Sequence, residues 1–101
     1  MGFHHLALAS RDTGATHRFY TEAMGFELLK VEVAPTPAGG WAKHFFYEIR
    51  PGGPMIAFWE LHDATFPAEI PTAISEALGL PPWVNHVAFA AESHADLDAR
   101  R

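Results

Sequence analysis

The sequence predicts an α+β fold built from a βαβββ module that is written once in full and then begun a second time. Over residues 1–61, patterns typical of a strand, a helix and three further strands follow one another. The stretch that opens this series, HLALAS from His5, returns as HVAFAA from His86. A recurring first strand predicts a second module, truncated after that strand and the start of its helix.

The first strand is predicted over Phe3–Ala9, where side chains alternate between two faces. His5 shares its face with Ala7 and Ala9, whereas His4 is expected on the other face, toward the helix. Because alanine side chains are small, His5 has room beside it. The strand therefore presents one imidazole on a face that can border a cavity.

The helix and the three remaining strands of the first module have recognisable boundaries. Asp12 or Thr13 can cap the helix, and Gly25 follows its apolar stripe in the position where helices often end. The RPGGP stretch predicts a turn before the last strand. The predicted strands cover residues 26–33, 43–49 and 55–61.

The amino-acid composition changes after residue 61. Residues 62–83 contain four prolines and a short helical segment, Ala73–Leu78, which is typical of a linker. Val84–Ala90 is predicted as a strand, and Ser93 with Asp96 opens a further helix. The predicted organisation is a first module over 1–61, a linker over 62–83 and an incomplete second module over 84–101.

Composition limits the classes of function. With 49% hydrophobic and 19% charged residues, the 101-residue chain is expected to fold as one small domain. Twelve acidic against seven basic residues leave no basic stripe for nucleic acid, so a small-molecule partner is favoured. No apolar run approaches the roughly 20 residues of a membrane helix, and no signal peptide is recognisable, which predicts a cytoplasmic location. Without cysteine, any metal ligands must be His, Asp or Glu.

Nearly the whole chain resembles the vicinal oxygen chelate superfamily of glyoxalases, bleomycin-resistance proteins and extradiol dioxygenases. The resemblance rests on HHLALASRDTGATHRFYTEAMGFEL, on FWEL with Glu60, and on NHVAFA with His86. In metal-dependent members, the first strand of each module supplies a His and the last strand a carboxylate, Gln or His. The resemblance implies that His5, Glu60 and His86 are metal ligands and that Glu60 also acts in catalysis. It places a fourth ligand on a strand that this sequence lacks.

Imidazole and carboxylate ligands suit a divalent ion such as Fe, Zn, Ni, Mn or Co. The resemblance implies a metal-dependent lyase, isomerase or dioxygenase that acts on a small oxygen-chelating substrate. Two alternatives stay open: a metal-free binding or sequestration protein of the bleomycin-resistance type, and an inactive truncated fragment.

For three further residues the sequence leaves the orientation or the role of the side chain open. His44 faces either the cavity or the core, depending on the register of its strand, with packing favoured over substrate contact. His62 and Asp63 follow Glu60 at the strand exit, where a rim position is expected. The unpaired edge of Val84–Ala90 predicts a homodimer, because such edges recruit other chains.

Overall fold

The computed structural model describes residues 1–67 and 69–100 and divides the chain into two compact units, Met1–Ile70 and Pro71–Arg101. The predicted α+β class is confirmed. No helix among the described residues is long and apolar enough to span a bilayer. The first unit contains β1 (His5–Ala9), α1 (Thr13–Arg18), a π-helical turn (Phe19–Ala23), β2 (Glu27–Pro35), β3 (Trp41–Glu48) and β4 (Met55–His62).

The four strands form one mixed sheet in the order β1-β4-β3-β2. β1 pairs in parallel with β4, and the other two pairs are antiparallel. Because paired residues share a face and neighbours along a strand alternate, the register defines two faces. The "His5 face" carries His5, Ala7, Lys30, Glu32, His44, Phe46, Met55, Ala57 and Trp59. The "helix face" carries Leu6, Leu8, Lys43, Phe45, Tyr47, Ile56, Phe58, Glu60 and His62.

The helix begins and ends as predicted. The Asp12 carboxylate accepts a hydrogen bond from the backbone N–H of Ala15 at 3.0 Å, which caps α1. After the π-helical turn, Gly25 has a φ of 72°, a left-handed conformation that glycine adopts without strain. A sharp stop at Gly25 lets the chain turn directly into β2.

One part of the core lies between this helical segment and the helix face, whereas the buried Ala42, Phe46 and Ala57 lie on the His5 face. The Tyr20 ring lies 4.9 Å from that of Phe58 and 6.2 Å from that of Tyr47, centroid to centroid. Tyr47 and Ile56 are 1% and 2% exposed. The phenol oxygen of Tyr47 is hydrogen-bonded to Nδ1 of His17 at 3.0 Å, so the buried hydroxyl has a partner on the helix.

A β-bulge interrupts the pairing of β2 with β3. Leu28 pairs with Tyr47, and Lys30 pairs with Phe46, so Leu29 has no opposite residue. The extra residue shifts the alternation by one position. As a result Leu28 lies on the helix face and Lys30 on the His5 face, although both are even-numbered.

The second unit contains α2 (Ile74–Ala77) and α3 (His94–Ala99), and Ser93 caps α3 by accepting from the Asp96 N–H at 3.0 Å. The prediction of a strand over Val84–Ala90 is wrong: no strand forms there in the described chain. A strand exists only when a neighbouring strand pairs with its backbone. Alternating apolar residues alone do not provide that neighbour, and Trp83 and Val87 are 75% and 48% exposed.

Candidate functional site

Two histidines from different strands meet on the His5 face. The His5 ring on β1 lies 6.2 Å from the His44 ring and 5.4 Å from the Phe46 ring, both on β3. The intervening strand β4 carries Ala57 at this point, and this residue is fully buried. Because a methyl group is all that β4 places between them, the rings can approach across the strand.

His44 is buried and has an unsatisfied nitrogen. The residue is 6% exposed, and its ring stacks on Trp59 with 3.7 Å between centroids and 8° between planes. Its Nε2 atom is buried and lacks a hydrogen-bond partner. Burial lowers the pKa of His44, and the nearby His5 and Lys30 lower it further, against a smaller opposing effect of Glu32. Both effects favour the neutral form of the ring, and its Nε2 is a buried donor or acceptor without a partner.

The sequence predicted that the His4 side chain faces the helix. In the structure the His4 ring lies beside the His5 ring. The two Nδ1 atoms are 2.7 Å apart, and the rings meet edge to face. The reason is that β1 begins at His5, so strand alternation does not fix the side chain of His4. With His5 as the donor of this hydrogen bond, its Nε2 carries the free lone pair.

Glu60 lies on the helix face and is held by two neighbours. Its Oε1 accepts from the Thr13 hydroxyl at 2.5 Å, and its Oε2 is 2.9 Å from Nε2 of His62. These hydrogen bonds, that of Thr13 first, lower the pKa of the carboxyl group. The residue that pairs with His5 is Met55, an odd number of positions before Glu60. The structure therefore does not bring Glu60 to His5.

The third predicted ligand, His86, belongs to the second unit. It is exposed, and its Nδ1 lies 3.3 Å from the carbonyl oxygen of Val84. Within residues 1–67 and 69–100, no three or more His, Asp or Glu side chains are grouped so that they could hold a metal ion. The ligand set His5, Glu60 and His86 thus stays a prediction.

The end of β4 carries polar and aromatic groups. His62 stacks on Trp41 with 4.0 Å between centroids, and the Lys43 ammonium lies 5.6 Å from the Trp41 ring. The Asp63 carboxylate accepts hydrogen bonds from the hydroxyls of Thr36 and Thr65. These contacts fix the strand exit, and His62 positions Glu60 from there.

The sequence did not predict that the rings of His44 and His5 lie close together. This proximity is the most distinctive feature of this surface. The face of His44 follows from its register opposite Trp59, which is a property of strand pairing. The alternation of His44 with Phe46 was the available signal, since it predicts a shared face without saying which one.

The sequence matches a known protein family. A family model described as the Glyoxalase/Bleomycin resistance protein/Dioxygenase superfamily matches residues 2–100. No curated protein and no solved structure matches the chain significantly.

Proposed function

The chain belongs to the Glyoxalase/Bleomycin resistance protein/Dioxygenase superfamily, and from this we propose that it is a metal-dependent enzyme acting on a small oxygen-chelating substrate at the His5 face. A lyase, an isomerase and a dioxygenase all agree with this proposal. The observation that carries it is the buried Nε2 of His44, which has no hydrogen-bond partner and belongs to a ring whose centroid lies 6.2 Å from that of His5. A buried imidazole nitrogen without a partner is an atom to which a ligand can bind.

The surroundings suit a small oxygen-bearing molecule. On this face the half-buried Trp59 supplies aromatic surface and Ala7 contributes only a methyl group, while Phe46 and Ala57 are buried. The Lys30 ammonium lies 4.6 Å from the Phe46 ring centroid, which places a cation near this surface. An apolar floor with a few polar groups is typical of small-molecule sites.

The proposed cofactor is a divalent ion of the Fe, Zn, Ni, Mn or Co type. Of the predicted ligands, His5 fits, since it is exposed and has one nitrogen left for a metal. Glu60 does not fit in this conformation, because both of its oxygens have partners on the opposite face. Metal dependence is therefore supported by His5 and by the family, and we derive no reaction step from the ion.

A metal-free binding protein is the second candidate. It is favoured by the engagement of Glu60 with Thr13 and His62, which leaves no carboxylate of β4 pointing to the His5 face. In that case His5 and His44 would bind the molecule by hydrogen bonds alone.

Elemental analysis and ligand binding would distinguish the two candidates. We expect the purified protein to hold a divalent ion, and His5→Gln to lower its metal content, with His94→Gln on α3 as an exposed control. Binding of catechols and 2-hydroxy-ketones, followed by tryptophan fluorescence, should weaken on addition of EDTA. Full binding in EDTA by a metal-free protein would support the metal-free alternative and contradict the proposal.

We also propose a cytoplasmic homodimer. β2 is the outermost strand of the sheet opposite β1, and its Val31 and Val33 are 43% and 63% exposed. Exposed apolar side chains on an edge strand favour association with a second chain. Sedimentation equilibrium should give a mass near twice that of one chain, and Val33→Lys should shift it toward the monomer.

A further inference from the structure

We propose that His44, and not Glu60, is the residue of the first unit that binds the metal ion together with His5. This inference rests on the proposed metal dependence. The family resemblance implied Glu60 on β4 as a ligand. In this proposal His44 on β3 takes its place.

The first argument is the geometry of the two rings. His5 and His44 lie on the same face, and their ring centroids are 6.2 Å apart. With metal–nitrogen bonds of about 2.1 Å, two imidazoles on one tetrahedral ion have centroids roughly 5 Å apart. His5 is the exposed ring of the contact, so rotation of its side chain can supply the difference.

The second argument is the state of His44. Its Nε2 is buried without a hydrogen bond. An unpaired buried nitrogen destabilises the fold unless the atom binds a ligand. Stacking on Trp59 fixes the plane of the ring, so little freedom is lost on binding.

The third argument concerns the support of His5. Ligating histidines usually donate their second ring N–H to a neighbouring acceptor, which fixes the ring and its tautomer. The Nδ1 of His4, 2.7 Å from the Nδ1 of His5, can accept this hydrogen bond. His5 then presents Nε2 to the ion.

Glu60, in contrast, is already occupied. To reach the His5 face it would have to give up the hydrogen bonds of Thr13 and His62 and reverse the alternation of β4. Hydrogen bonds to a carboxylate are about twice as strong as neutral ones, so this rearrangement is unfavourable.

Cobalt binding by the full chain tests the inference. Co²⁺ would be titrated by calorimetry into the wild type, His5→Gln, His44→Gln, Glu60→Gln and the control His94→Gln, each checked by circular dichroism for folding. We expect His5→Gln and His44→Gln to weaken binding at least tenfold, and Glu60→Gln and His94→Gln to stay within about twofold.

A second measurement avoids mutation of the buried ring. In the wild-type protein with labelled histidines, Co²⁺ should shift or broaden the NMR signals of His5 and His44 before those of His17 and His94. Loss of binding in Glu60→Gln, or an unchanged His44 signal while that of His5 responds, overturns the inference and leaves metal dependence intact. Absence of any Co²⁺ binding by the wild type refutes the metal dependence itself, and this inference with it.

Discussion

The two faces of the four-stranded sheet treat their polar groups in opposite ways. On the helix face, the Tyr47 hydroxyl has His17 as its partner, and the Glu60 carboxylate has Thr13 and His62. On the His5 face, the buried Nε2 of His44 has none. Both faces contain aromatic rings, so apolar content alone does not separate them.

This contrast separates stability from function. A face whose buried polar groups all have partners gains stability from its packing and hydrogen bonds. A face that keeps a buried donor or acceptor unpaired gives up some stability, which a ligand can restore. Substitutions on the two faces should therefore differ in sign as well as in size.

The largest effect is expected in the helix-face core. Phe58→Ala removes a ring that is 6% exposed and contacts Tyr20, so it should lower the free energy of unfolding by about 3–5 kcal/mol. Phe3→Ala, at a position 65% exposed, is the matched control and should change it by less than about 0.5 kcal/mol. Urea denaturation followed by circular dichroism gives both values; similar losses would contradict the assignment of the core.

Removing a satisfied partner should cost less. His17→Phe deprives the buried Tyr47 hydroxyl of its hydrogen bond and should destabilise the protein by about 1–3 kcal/mol. Tyr47→Phe in the same background should recover part of this loss, because the unpaired hydroxyl is then gone. A double-mutant cycle measured by urea denaturation checks the coupling, and simple additivity would count against this hydrogen bond.

The opposite sign is expected at His44. His44→Phe keeps a ring against Trp59 and removes the unpaired nitrogen, so it should raise the free energy of unfolding by about 1 kcal/mol in EDTA. The same variant should lose Co²⁺ binding if His44 is a ligand. A clear loss of stability in thermal unfolding would show that Nε2 contributes more to the fold than the contrast allows.

His44 should also have a smaller effect on how the free energy of unfolding depends on pH. The pKa of His44 lies below its ordinary value of 6.5, so the unfolded state takes up this proton more readily than the folded state. The corresponding stability is present above about pH 6.5 and is lost as the pH falls from there toward the lowered pKa. The difference between wild type and His44→Phe, measured in EDTA, should change over this interval; parallel curves would argue against the shift.

The smallest effect on stability is expected at the edge of the helix face, on the outermost strand β2. Val33 lies on the outermost strand and is 63% exposed. Val33→Thr should therefore change the unfolding free energy of the monomer by less than about 0.5 kcal/mol. Denaturation at low protein concentration measures this without a contribution from association, and a larger change would mean that the face extends farther than the helix covers.

Local signals in the sequence predicted much of this fold, and pairing explains what they could not predict. Asp12 and Gly25 mark the helix because capping depends on a few adjacent residues. The alternation of side chains along β4 also places Glu60 on the same face as Phe58. That this face is not the face of His5 depends on the register of β1 against β4, which alternation within either strand does not contain.

The same reason applies to His44 and to residues 84–90. His44 could be placed only by its register opposite Trp59. The alternation over Val84–Ala90 indicated a strand, but no neighbouring strand pairs with it in the described chain. In each case the missing information was long-range.

The bulge at Leu29 gives the sheet one point at which its length can change. Leu28 and Lys30 already pair with adjacent residues of β3, and Leu29, 45% exposed, adds nothing to the ladder. A deletion of this one residue would leave every other pair of β2 and β3 in place, whereas a deletion anywhere between Lys30 and Pro35 would exchange the faces of the residues before it. The molecule can therefore vary in length during evolution at Leu29 without rebuilding the surface on which His5 and His44 meet.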